Sequence, residues 1–191
     1  MSTPISPVTK VYSVQDAKIS ALTSDPDGGT PVYGTPIDVP GIQSFEIGGD
    51  IETKKLRGDN RALASNSVVS GITVKVEHAK LSLTALAAIT GGSSTNSGTS
   101  PAQKTVYSLG ADDSLPAFKL EGVTPANGVD IIGGDLHWVL YCCTLSKFPD
   151  VGFADEDYRT VSFEADANPL ISTGQWIDAV LNETAVAIPA A

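Results

Sequence analysis

The sequence predicts a mainly β protein: a β-sandwich or barrel-like domain with one short flanking α-helix. Three observations carry that reading. Eighteen glycines and twelve prolines punctuate 191 residues, and the runs between them are short and rich in Val, Ile, Thr and aromatics. One run, Val68 to His78, alternates apolar and polar residues. The period changes to a helical one at a single place, about residues 81–90.

Taken in order, "VYSVQDAKISALTS" reads as strand and ends at "DPDGG", Asp25 to Gly29. Asp favours turns there and the glycines supply positive φ. "TPVYGTPIDVPG" reads as an extended, proline-marked loop. "IQSFEIGGDIETKKLRGDN" reads as strand, Gly-Gly turn, strand and Gly-Asp-Asn turn. Ile42, Ser44 and Glu46 are expected on one face, and Gln43, Phe45 and Ile47 on the other. In the next strand Val68, Ser70, Ile72, Val74, Val76 and His78 face a core, while Val69, Gly71, Thr73, Lys75 and Glu77 face water or a channel.

Leu83, Leu86, Ala87 and Thr90 then recur at helical spacing. Ser82 is placed to cap the first turn, Leu81 to staple onto Leu86, and Gly91 to end the helix. Residues 91–103, "GGSSTNSGTSPAQ", read as a flexible Gly/Ser-rich loop. Further strands are expected near 104–110, 117–124, 135–147, 158–167 and 184–188. "LHWVLYCCTL" is apolar on both faces and belongs centrally in a sheet or under the helix. In "YRTVSFEADAN", Val161, Phe163, Ala165 and Ala167 form the apolar face, and Ser162, Glu164, Asp166 and Asn168 the polar one. "IGGDI" at 47–51 returns as "IGGDL" at 132–136, either the same turn chemistry used twice or a trace of duplication. Residues 1–191 read as a single domain, with residues 1–10 and 184–191 as terminal arms.

Totals narrow the function. A net charge of −10 opposes a nucleic-acid surface built on phosphate contacts. Residues 112–191 hold three basic and thirteen acidic residues, while residues 1–111 hold nine of each, so one region carries the whole excess. Adjacent Cys142 and Cys143 point to opposite faces of a strand, which suits reduced, buried thiols and not a disulfide. "MSTPISPVTK" lacks the apolar core of a signal peptide, and no apolar run approaches a membrane span.

Chemistry is hard to place. His78 and His137 are the only histidines; both sit in strand-like runs without a visible nucleophile. No Gly-x-Ser-x-Gly elbow or phosphate loop occurs. Asp155, Glu156 and Asp157 lack the ligand spacing of a calcium loop and read as solvated charge. No catalytic residue, metal ligand or cofactor is expected, and the chain is read as no enzyme.

The order of features is more informative than any single motif. An extended N-terminal segment leads into "TPIDVPGIQSFEI", followed by the hairpin "KKLRGDNRALAS". The alternating strand "ITVKVEHAKLS", the helix "LTALAAITGG" and the acidic "FADEDYRTVSFEADAN" come next. Over roughly residues 10–170 this order resembles the major tail proteins, the tail-tube subunits, of long-tailed (siphovirus-type) bacteriophages. The resemblance implies a β-sandwich with a flanking helix. It also implies homohexameric rings, closed through a shared β-barrel and stacked into a tube that conducts DNA into the host. Implied partners are further copies of the chain, the tape measure, terminator and distal tail proteins, and DNA in transient non-specific passage, with no membrane insertion. The implied location is the virion tail, assembled in the host cytoplasm.

Within that frame Thr73, Lys75, Glu77, Glu164, Asp166 and Asn168 are the candidate lumen-facing residues. Lys54, Lys55, Arg57, Asp59, Arg61, Asp155, Glu156 and Asp157 are the candidate contacts between subunits. The 54–61 hairpin, the 91–103 loop and both termini are expected to order only on assembly. Two other readings stand beside it. One is a different ring-forming phage protein, a tail terminator or head decoration. The other is an adhesin-like module presenting Arg57-Gly58-Asp59, which the absence of disulfides and of a signal peptide opposes.

Overall fold

The computed structural model describes residues 8–58, 61–127, 133–153, 155 and 158–188. The chain is mainly β, with one helix among the described residues and a large antiparallel sheet, consistent with a sandwich-like fold. In chain order the elements are β1 (Lys10–Val11), β2 (Asp16–Ser24), β3 (Val32–Tyr33), β4 (Ile37–Asp38), β5 (Ile42–Gly58) and β6 (Arg61–His78). Then come α1 (Leu83–Thr90), β7 (Ser93–Ser97), β8 (Lys104–Ser108), β9 (Phe118–Asn127), β10 (Asp135–Asp150), β11 (Val161–Ala167) and β12 (Ile177–Asn182).

The main path of the sheet is β3-β2-β9-β10-β11-β6-β5; β12 and β1 join at β10 and β9, and β4 at β2. β10 organises it. Its first half, Asp135 to Leu140, lies between β9 and β12. After a register shift, its second half pairs with β11. The two halves of the sheet fold onto each other over a common core. Ile19 and Leu120 come from one half, Val74, Val76, Phe163 and Ala165 from the other, and Leu140 from the crossing strand. Gly122 of β9 marks a close approach: a Cβ there would stand 2.7 Å from the ring of Phe45 on β5. Beside that contact lies an open groove of about 340 Å³, lined by Val11, Val14, Phe45, Ile47 and Trp138 among others.

The helix forms as its sequence implies. The Ser82 hydroxyl accepts from the Ala85 amide at 3.2 Å, and Gly91 ends the helix at φ 80°. Ile89 enters the common core. The turn at Asp25–Gly29 also forms, with the Gly29 amide bonded to the Pro26 carbonyl at 2.9 Å. Cys142 and Cys143 are free thiols, and burial pushes the Cys143 thiol well up.

Several expectations are corrected. The Gly-Gly turn at 48–49 does not exist: β5 runs straight through it, pairing with β6 from Ile42 to Gly58. A partner strand of matching length overrides the local turn preference. "IGGDI" is therefore strand interior, whereas Gly133, in the second copy, sits at φ 78° just ahead of β10. Ile42 joins Phe45 and Ile47 against the core, because a bulge between Ile42 and Ser44 breaks the alternation. Within 91–103, Ser93–Ser97 forms a ribbon with Lys104–Ser108, where composition suggests a loop. The proline-marked loop contributes the short strands β3 and β4. The last strand is Ile177–Asn182, not 184–188. Residues 184–188 follow the body instead: the Ala185 amide bonds to the Gly133 carbonyl, and Ile188 is buried. The C-terminal arm is thus docked as far as the described residues go.

Candidate assembly surfaces

Two surfaces gather the residues that sequence reasoning singled out. The first is the outward face of β10, β11, β6 and β5. Antiparallel register sets Glu164 opposite Lys75, Asp166 opposite Thr73, and Ser162 opposite Glu77. It then sets Lys147 opposite Glu164 and Glu46 opposite Lys75. Paired residues share a face, so Thr73, Lys75, Glu77, Glu164 and Asp166 come together, with Asn168 just past the end of β11 donating to Thr144 at 3.2 Å. All six are at least partly exposed.

The face mixes charges. Lys75 reaches Glu77 at 2.9 Å and Lys147 reaches Asp150 at 2.8 Å. Glu77 first, then Glu46 and Glu164, hold Lys75 above the ordinary lysine value; Asp150 does the same for Lys147. Two lysines thus stand among five carboxylates, those of Glu46, Glu77, Asp150, Glu164 and Asp166. The face is acidic on balance and far less so than the −10 of the whole chain.

This four-stranded region has two open sides. Among the described residues β5 pairs only with β6, and β10 beyond Cys143 pairs only with β11. Pro149, which has no N–H to give, is tolerated in such an edge strand. Unpaired strand edges offer rows of donors and acceptors to another chain.

The second surface is an arm. From about Asp50 on β5 and Ser70 on β6 the hairpin leaves the body, and nearly every described side chain on it is exposed. Eight residues of strand beyond the body reach about 25 Å. A bulge between Asp50 and Ile51 marks the shoulder, where Gly48 and Gly49 face Thr73 and Ile72. A Cβ on Gly49 would stand 3.1 Å from the Gly71 carbonyl oxygen, so the backbones crowd there. Ile51, Leu56, Leu63, Val68 and Val69 are each half or more exposed on the arm. Val68 and Ser70, expected to face the core, are exposed because the core ends at Ile72.

Lys54, Lys55 and Arg57 stand exposed along the arm, and Lys54 makes a surface contact with Glu52 at 3.7 Å. Gly58 pairs with Arg61; Asp59, at the expected turn, lies outside the described residues. Asp155 is exposed in the β10–β11 connection, and Glu156 and Asp157 lie outside the described residues. Lys54–Arg57 and Asp155 therefore sit on separate features of the chain.

One constellation was not singled out from the sequence. On β10, Asp135 and His137 share a face, as residues two apart in a strand must. His137 Nδ1 lies 2.9 Å from Glu121 Oε1 of β9, and Nε2 lies 3.1 Å from Asp135 Oδ2, close but off a hydrogen-bond line. Lys119 reaches Glu121 at 3.3 Å. All three members of the trio are buried. Burial alone would push His137 down; the bonds and charges of Glu121 and Asp135 outweigh it and hold the imidazole above its ordinary value. Burial likewise works against the Asp135 carboxylate, yet Asn182, the Val186 amide and His137 hold it low. The Asp-x-His spacing was visible in the sequence; the partner Glu121, from another strand, was not. Among the described residues no group of three or more His, Cys, Asp or Glu is arranged to hold a metal ion.

No protein-family model matches this chain, and no curated protein matches it significantly in sequence.

Proposed function

We propose that this protein is a structural subunit that assembles with copies of itself into stacked rings forming a tube, as the major tail protein of a long-tailed bacteriophage. One observation carries the reading: a four-stranded sheet with a polar outward face and an open strand edge on each side. Joining the β5 edge of one copy to the β10 edge of the next removes both edges and continues the sheet. Such a head-to-tail contact closes into a ring when the rotation allows. Thr73, Lys75, Glu77, Glu164, Asp166 and Asn168 then line the inside. A mildly acidic wall repels phosphate, so DNA slides along it without sticking. The exposed apolar and basic arm reaches across to a neighbouring copy.

Negative-stain electron microscopy of the concentrated purified protein tests this. Tubes with a regular axial repeat are expected. A reconstruction with Glu164 and Asp166 on the outer surface would refute the lumen assignment. Single rings at every concentration would point instead to a terminator-like protein.

A further inference from the structure

The outer face of the other half-sheet is unusual, because three titratable side chains on it, Glu121, Asp135 and His137, are buried. Register places Lys18 of β2 opposite Glu121 of β9, and Asp135 of β10 opposite Asn182 of β12. With His137 between Glu121 and Asp135, these side chains form a polar row across four strands. Residues 183–188 run along it. At one end Asp135 Oδ1 accepts from the Asn182 side-chain amide at 2.7 Å, and Oδ2 from the Val186 amide at 2.6 Å. At the other end Lys18 Nζ donates to the Ile188 carbonyl at 3.2 Å. Asp135 thus holds this segment and touches His137 with the same oxygen that holds Val186.

The imidazole has a carboxylate oxygen at each ring nitrogen. Nδ1 is in line to donate to Glu121, while Nε2 stands beside Asp135 off that line, so the imidazolium meets Asp135 as a charge that a neutral ring lacks. The surrounding charges replace it only on the Glu121 side. β9 contributes Glu121 with Lys119 behind it, β10 contributes Asp135, and β2 contributes Lys18 and Asp16, with Asp38 of β4 opposite Lys18. β12 brings Asp178, which is engaged by Tyr141 and Gln175, and the segment itself carries Glu183. Without the imidazolium, Glu121 keeps Lys119 at 3.3 Å, while the ring no longer compensates Asp135.

We propose that residues 183–188 are a proton-latched strap, closed over the polar row while His137 is imidazolium and lifting when that proton is lost. A raised histidine contributes fully below its ordinary value of 6.5, and the contribution is lost as pH rises through the folded value. Strap opening is therefore an alkaline event. It uncovers a charged row that is otherwise shielded from any neighbour.

Two-dimensional NMR on the full chain tests this between pH 5 and 9. The readouts are the His137 ring proton shift and the exchange protection of the Ala185 and Val186 amides, corrected for intrinsic exchange. The ring is expected to titrate above 6.5, and protection at both amides to fall on the order of tenfold across that same step. In His137→Gln the step should vanish. In Glu121→Gln, which leaves the histidine in place, both ring titration and step should move together to lower pH. Protection that stays level through the His137 transition overturns the proposal, as does a wild-type step in His137→Gln or an unmoved step in Glu121→Gln.

Discussion

Ile51 and Val69 lie directly opposite each other on the arm, 69% and 57% exposed. Changing both to threonine keeps the β-branched shape and a strand preference while removing much of the apolar surface. Each side chain leaves on the order of 100 Å² of apolar area in water, worth about 2.5 kcal/mol at ~25 cal/mol per Å² when a neighbour covers it. Threonine retains roughly half of that, so the double variant forfeits about 2–3 kcal/mol per contact, or a ~30–150-fold higher concentration for assembly. The isolated subunit should change by no more than about 0.5 kcal/mol, because neither residue touches the core. Light scattering against protein concentration gives the first quantity, and urea unfolding of the dilute subunit the second. Assembly at the wild-type concentration with an unchanged subunit would refute the role given to the arm. A subunit destabilised by several times that limit would show that the pair serves the hairpin itself.

Other consequences concern the body. Leu140, fully buried where β10 passes between the half-sheets, should cost about 2–5 kcal/mol on change to alanine, measured by urea unfolding. Ser82→Ala removes the cap of α1 and should cost about 1 kcal/mol, with Ser82→Asp restoring it in the same melt. Asp25 accepts from the Ser172 and Ile171 amides, and Ser172 first, with Ile171, holds its carboxyl below the usual 3.8. Its contribution is complete above that value and is lost as pH falls through the lowered one. Thermal melts of Asp25→Asn should therefore sit below wild type at pH 6 and converge with it in strong acid; parallel curves would dismiss the tie.

The elements that sequence reasoning places well are those whose local and tertiary preferences agree. The helix is one: its cap and its terminal glycine act within a few residues, although its buried face is Ala85, Leu86, Ile89 and Thr90, with Leu83 and Ala87 only half-buried. The half of β6 from Ile72 to His78 is another, since its alternation matches a real core on one side. The same alternation misleads further out, because Val68 and Val69 look like half-buried strand and stand on an arm in water. Gly48-Gly49 reads as a turn only while the long partner strand is invisible. Ile42 lands on the core side through a bulge that no period reveals. The six polar-face residues were legible because β6 and β11 alternate independently. Their pairing, the lysines that temper the charge and the two open edges needed the topology. The imidazole between two carboxylates needed it too, since Glu121 and His137 meet only when β9 and β10 align.

The path of β10 also sets an order of events during synthesis. β5 and β6 are neighbours in sequence and can pair as soon as both have emerged, so the arm is an early structure. β2 must wait for β9, about a hundred residues later in the chain, and β9 for β10. The half-sheet of β5, β6, β10 and β11 waits for β11, and the other half for β12. A nascent chain therefore carries a finished apolar arm ahead of a finished body, and its neighbours on one polysome are the first copies that arm can meet.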